Sequence, residues 1–249
     1  MLTTVIRGRA GELDEGLNPT ADLKASERIM AAVAANPEIG RIVRLYRPAP
    51  TVAFSTIEMT LPEFSHAVGE SVAFGFEAMV RPAGGRMVAI DEQWIVLDVI
   101  TPEPVRNPSH RNVYDEFGSK FVEVLTGFGI DARYGSVEGE YCPGDYSVNA
   151  RGAVKLVGTA QRVTRGARLF SASIPFDISV NVRELFSRIN GLLGLSWSPA
   201  TLGCIKDEVP DASFEALEAA LLTAFAPNAQ NEGSLAEIFR STKKLALAS

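Results

Sequence analysis

Hydrophobic residues recur along this chain with two periods, a helical one of about 3.6 residues and a strand one of about 2, and the two exchange repeatedly. Residues 21–35 place Leu23, Ile29, Met30 and Val33 at helical spacing and stop at Asn36-Pro37, which predicts a helix with a sharp end. Residues 41–47 and 51–56 predict two strands bent apart at Pro48 and Pro50. A helix over 61–74 would open at Thr60 with Pro62 in its first turn. Three apolar runs follow, at 77–81, 87–90 and 94–100. The first two are joined through Pro82-Ala83-Gly84-Gly85, and the set predicts adjacent antiparallel strands. A helix over 109–127 sets Val113, Phe117, Phe121, Val124 and Leu125 on one face. Residues 146–149, 154–163 and 169–176 then predict a meander turning at Arg151-Gly152 and Arg165-Gly166. Helices are expected at 182–193, 213–225 and 234–247, with a loop at 227–233.

Sheet packed with helices is the expected result, in an α/β or α+β domain. The last part, from near Pro199, reads either as a small helical subdomain or as further layers on one core. The chain has 249 residues with 46% hydrophobic content, enough for a substantial core. Its net charge of −6 supplies no positive field for nucleic acid or an anionic membrane. No apolar run reaches the roughly 20 residues that cross a bilayer, and the N-terminus lacks the basic-then-apolar layout of a secretory signal, so a cytoplasmic protein is expected. Two cysteines cannot frame a disulfide scaffold, and two histidines give little basis for a closed zinc site, so no metal is expected.

The candidate chemistry lies between Glu140 and Arg168. Cys142 sits in Tyr141-Cys142-Pro143-Gly144-Asp145, a turn sequence just before a strand, where a thiol can be exposed and act as a nucleophile. Free cysteine is more commonly a small buried hydrophobe. Lys155 lies in an apolar strand, where alternation would put it on the face of Val157, Thr159, Gln161 and Val163. It could polarise an acyl carbonyl or, with a lowered pKa, act as a base; an edge-strand lysine that blunts aggregation is the plainer reading. Across a hairpin centred on Arg151-Gly152, Lys155 faces about residue 148, which leaves Cys142 roughly 20 Å away in a straight ribbon. The two meet only if the chain doubles back at Pro143-Gly144. Arg81 followed by Gly84-Gly85 could hold a carboxylate, phosphate or carbonyl against close backbone, or form a simple turn. Arg162, Arg165 and Arg168 could receive an acidic partner surface, although a solvated hairpin explains them as well.

These segments, in this order, resemble the lipoate-protein ligase and octanoyltransferase superfamily, related in fold to the biotin ligases, over about residues 18–176. Residues 21–30 are similar to its first helix, and 43–56 to its "aromatic, Pro, Val, small" pair of strands. Met79-Val80-Arg81-Pro82-Ala83-Gly84-Gly85 resembles the arginine-containing glycine loop that lies against the acyl group. Lys155-Leu156-Val157-Gly158-Thr159-Ala160-Gln161-Arg162 resembles the lysine motif that contacts the acyl carbonyl. Tyr141, Cys142, Pro143, Gly144 and Tyr146 match the cysteine-dependent amidotransferases, which move octanoyl or lipoyl groups from the glycine cleavage H protein to other lipoyl domains.

The resemblance implies an α+β fold of mixed, largely antiparallel sheets packed with helices. Residues 1–198 would be the catalytic domain and 199–249 a helical extension packed on it. It implies Cys142 and Lys155 as catalytic residues, and acyl-group contacts at Arg81, Gly84, Gly85, Gly158, Thr159 and Ala160. A thioester on Cys142 would pass to a lysine of a lipoyl domain, in the H protein or in 2-oxoacid dehydrogenase acyltransferase subunits, without a cofactor. Sulfur and amine would then open onto one narrow apolar channel. Two departures stand out: Arg86 follows Gly84-Gly85 and Ile90 precedes Asp91, where adenylate-forming ligases have a third glycine and His-Asp, and Gln93-Trp94-Ile95-Val96 lacks the family's downstream asparagine. The rival readings are a ligase using ATP and magnesium, in which Cys142 is incidental, and a degenerate binding module.

Overall fold

The computed structural model describes residues 2–8, 19–81, 84–103 and 110–246. The chain runs β1 (Thr3–Gly8), α1 (Pro19–Ala35), β2 (Arg41–Tyr46), β3 (Thr51–Ser55), α2 (Phe64–Ala73), β4 (Glu77–Arg81), β5 (Val88–Ile90), β6 (Trp94–Pro102) and α3 (His110–Gly127). It continues through β7 (Ala132–Tyr134), β8 (Val148–Ala150), β9 (Val154–Thr164), β10 (Ala167–Pro175), α4 (Val180–Leu192), α5 (Ile205–Glu208), α6 (Phe214–Phe225), β11 (Asn231–Gly233) and α7 (Leu235–Ala246).

Eight strands form one sheet in the order β11-β1-β2-β6-β10-β9-β8-β7, and β4-β3-β5 form a second. In the large sheet β1 pairs parallel with β2 and β11, and the other pairings are antiparallel. The expected α+β class, with largely antiparallel mixed sheets against helices, is what the chain adopts. The β8-β9-β10 meander turns where expected, with Arg151 and Gly152 both at positive φ, 57° and 68°.

Both faces of the large sheet are covered, which is why β6 reads as a continuous apolar run. Ile95, Leu97 and Val99 point to one face, into a core shared with Phe117, Phe121, Leu217, Leu221 and Phe225 of α3 and α6. Residues beyond 199 therefore contribute to the same core as the sheet. On the opposite face, Trp94 and Val96 join a core with Phe54, Phe186 and Ile189, while Ile100 joins Ile29, Val33 and Ile42 under α1. Between these two clusters lies a polar row, described below.

Three expectations need correction. The helix predicted over 61–74 starts at Phe64; Thr60 Oγ1 donates back to the Ile57 carbonyl in a short 3₁₀ turn instead of capping it. The β4 and β5 strands are not a hairpin, because β3 lies between them, parallel to β4 and antiparallel to β5. Their connection instead reaches across to Cys142; Pro82 and Ala83 of that loop lie outside the described residues. The β6 strand belongs to the other sheet. Among the described residues no helix is long and apolar enough to cross a membrane.

Candidate active site

Glu140 organises the loop that carries the cysteine. Its carboxylate is buried and accepts from the backbone N–H of Val137 (3.1 Å) and Gly144 (3.1 Å), from Ser147 Oγ (2.8 Å) and from Lys155 Nζ (3.0 Å). Four donors converge on one anion, so the chain must reverse direction between residues 137 and 147. That reversal closes the gap a straight ribbon would leave. Lys155 lies opposite Asn149, and its Nζ also donates to the backbone carbonyl of Cys142 at 2.7 Å.

Lys155 is 3% exposed on an interior strand, which removes the edge-strand reading. Its charge is met by Glu140 and by the face of the Tyr141 ring, 4.9 Å from Nζ to the centroid. A register shift in the β8–β9 pairing, at Val148/Asn149, breaks the simple alternation along β9. Leu156 and Val157 both enter the core, and Lys155 lies on the side of Gly158, where an added Cβ would sit 3.4 Å from its Cε. The predicted shared face with Val157 is thus corrected. Tyr141 is buried, and desolvation, with Cys142 and Glu140 beside it, pushes its phenol well above the usual range, so it stays a neutral donor.

The glycine loop closes over the sulfur. Buried Glu58 accepts from Ser55 N and Met87 N, each at 2.7 Å, and so pins the loop to the end of β3. Arg81 Nη2 donates to the Arg86 carbonyl at 2.6 Å, and Arg86 N–H donates to Cys142 Sγ at 3.0 Å. Arg86 borders the cavity, and its guanidinium donates to the Ser196 carbonyl at 2.9 Å. Gly85 has φ +103°, and a Cβ there would lie 2.8 Å from Cys142 Sγ and 3.0 Å from Arg81 Nη2. Gly85→Ala is therefore expected to lower the rate of Cys142 alkylation and of any acyl transfer by about tenfold or more, through backbone strain and a displaced sulfur. Iodoacetamide kinetics on native and variant protein check this.

One cavity of about 380 Å³ is lined by Cys142, Lys155, Arg81, Gly84, Gly85, Gly158, Thr159 and Ala160, so all eight sequence-derived site residues border the same space. Thr159 is fixed by a bond from its hydroxyl to the Tyr146 carbonyl. Cys204, by contrast, is buried, and desolvation pushes its thiol up to about 12. The arginine cluster divides: Arg168 is buried in a two-pronged pair with Glu103, Arg162 meets Glu27, and Arg165 is exposed. Sequence reading passed over Glu140, Glu58 and Asp98. Only Asp98 carried a local signal, a carboxylate inside the apolar run of β6.

The architecture is that of the lipoate-protein ligases. It superposes on lipoate-protein ligase A bound with ATP with a TM-score of 0.69, over 98% of this chain and 93% of that one, at 17% identity. A bi-partite lipoate protein ligase from Thermoplasma acidophilum gives 0.66 over 98% and 91%, at 16% identity. The lipoyl protein ligase A/B catalytic domain model matches residues 18–226, and the chain belongs to that family, as the sequence resemblance implied. It is 27% identical over 151 residues to the octanoyl-[GcvH]:protein N-octanoyltransferase of Geobacillus kaustophilus, 59% of this chain and 53% of that protein. To the same-named protein of Anoxybacillus flavithermus it is 26% identical over 153 residues, 60% and 54% respectively. The chain spans about half the length of these curated relatives.

Proposed function

We propose that this chain is an acyltransferase that carries a medium-chain acyl group, octanoyl or lipoyl, as a thioester on Cys142 and passes it to a lysine of a lipoyl domain. The single observation that supports this most is the convergence of Cys142 Sγ, Lys155 and Arg81 on one cavity. The Arg86 N–H donates to the sulfur, and the Arg81 guanidinium lies across Gly85 from it.

The thiolate attacks the carbonyl of an acyl-lysine amide. The C–N bond breaks, the thiol's proton leaves with the lysine amine, and a C–S bond forms. A second lysine amine then displaces the thiolate, which recovers the proton. An ammonium has three N–H donors, and two of those on Lys155 are committed to Glu140 and the Cys142 carbonyl, so the third serves the acyl carbonyl as charge develops on its oxygen. This route needs neither ATP nor a metal ion. The named relatives support the glycine cleavage H protein as one carrier, and 2-oxoacid dehydrogenase subunits would be others.

Mixing the protein with an octanoylated H protein tests the proposal by intact-mass measurement. The expected result is one octanoyl increment on the protein, lost on addition of hydroxylamine. No increment, with the donor unchanged, would overturn the covalent route and leave a binding module.

A further inference from the structure

The cavity wall is not uniformly apolar, as the expected channel would be. On the face of the large sheet that it borders, register partners Arg44, Asp98 and Ser171 form a polar row across β2, β6 and β10. This row lies between two apolar clusters and is closed on itself. Arg44 Nη2 pairs with Asp22, and Nη1 donates to the Asp22 carbonyl (2.9 Å) and to Ser26 Oγ (3.1 Å). Asp98 accepts from the hydroxyls of Ser26 and Ser171. The Tyr141 hydroxyl is placed differently. Its ring is 2% exposed, packs edge-on against Phe186 with centroids 5.0 Å apart, and faces Lys155 Nζ. Tyr141 borders the cavity, yet among the described residues its hydroxyl has no hydrogen-bond partner. Gly158 on β9 shows what surrounds that hydroxyl. A Cβ there would lie 3.6 Å from Tyr141 Oη, 3.4 Å from Lys155 Cε and 3.3 Å from Ser173 Oγ, so the missing side chain leaves a small space ringed by these groups. An unmet hydroxyl in such a wall is costly unless something that enters the cavity meets it.

We infer that Tyr141 is a further catalytic residue, and that its hydroxyl donates, together with the Lys155 ammonium, to the acyl oxygen in the space over Gly158. The inference rests on the acyl-transfer reading of the cavity and adds a second donor to it. When the sulfur attacks, a C–S bond forms and the carbonyl electron pair moves onto oxygen; when the C–N bond breaks, that pair returns. Two donors then hold the charge, one cationic and one neutral. The phenol keeps its proton throughout, because desolvation holds it well above the usual range. Chain order keeps the parts in register. Tyr141 directly precedes Cys142, and Lys155 Nζ holds the Cys142 carbonyl, so hydroxyl, sulfur and ammonium are carried by one fixed loop.

The test is Tyr141→Phe in the full chain, with single-turnover thioester formation from octanoylated H protein followed by intact mass over a range of donor concentrations. Phenylalanine keeps the ring contacts and removes only the hydroxyl. The maximal rate is expected to fall about a hundredfold, with the half-saturating donor concentration within about twofold of native. The melting temperature should hold or rise slightly, since no partner inside the protein is lost. A maximal rate within about threefold of native would overturn the inference, as would a loss confined to the half-saturating concentration. A clear drop in melting temperature would also overturn it, by showing a structural hydroxyl. So would native-rate transfer by Lys155→Met paired with Glu140→Gln, because the space over Gly158 would then hold no acyl oxygen. Native protein that forms no thioester at all would instead overturn the covalent reading, and this inference with it.

Discussion

Cys142→Ala is expected to abolish acyl-enzyme formation and to lower acyl transfer by about a thousandfold or more, while the protein stays folded. The sulfur is partly exposed at the cavity and, among the described residues, its hydrogen bond comes from a backbone N–H, so its removal leaves no buried charge unpaired. The stability change should stay within about 1 kcal/mol, readable as a melting-temperature shift of a few degrees. Intact mass, transfer kinetics and thermal melts on one preparation separate the two effects. An adenylate-forming ligase would respond differently: Cys142→Ala would keep its activity, and labelled ATP with lipoate would release pyrophosphate. Full transfer by the alanine variant would therefore remove the covalent step and favour the ATP-dependent alternative, whose fold this chain shares.

How much could be read beforehand depends on whether the cause is local. Helices with a clear stripe, such as α3 with Phe117, Phe121 and Leu125, follow from periodicity because one turn of sequence carries the whole signal. The β8-β9-β10 meander follows from its turn residues. By contrast β11 is three residues, Asn231, Glu232 and Gly233, with no apolar pattern, and it is a strand only because β1 offers a parallel edge. The same limit applies to the site. Residue types pointed to Cys142 and Lys155, yet strand arithmetic left them far apart. What unites them is Glu140, whose neighbourhood of Glu138 and Asp145 reads as a solvated acidic loop. Its burial depends on a lysine fifteen residues later and on two backbone amides that the reversal itself presents. Gly85 is similar: two glycines suggested close approach, and only the folded loop shows that sulfur and guanidinium are what approach.

Lys155→Met is expected to cost both stability and transfer, and the two losses can be separated. The ion pair is almost fully buried, with side-chain exposures of 4% for Lys155 and 0% for Glu140. Removing one partner of such a pair typically costs about 3–5 kcal/mol, because the other charge is stranded. Val137 N, Gly144 N and Ser147 Oγ still donate to Glu140, so the loss should fall near the lower end of that range. Pairing Lys155→Met with Glu140→Gln removes the stranded charge and should recover much of the stability, as measured by the denaturant midpoint. Transfer should not recover with it. A carbonyl donor lost from the transition state costs about 10²–10³ in rate, and glutamine at position 140 cannot replace an ammonium that reaches the Cys142 carbonyl. Should the double variant transfer at close to the native rate, Lys155 would be a structural counter-ion for Glu140, and stabilisation of the acyl oxygen would have to come from Arg81 or from backbone N–H groups of the glycine loop.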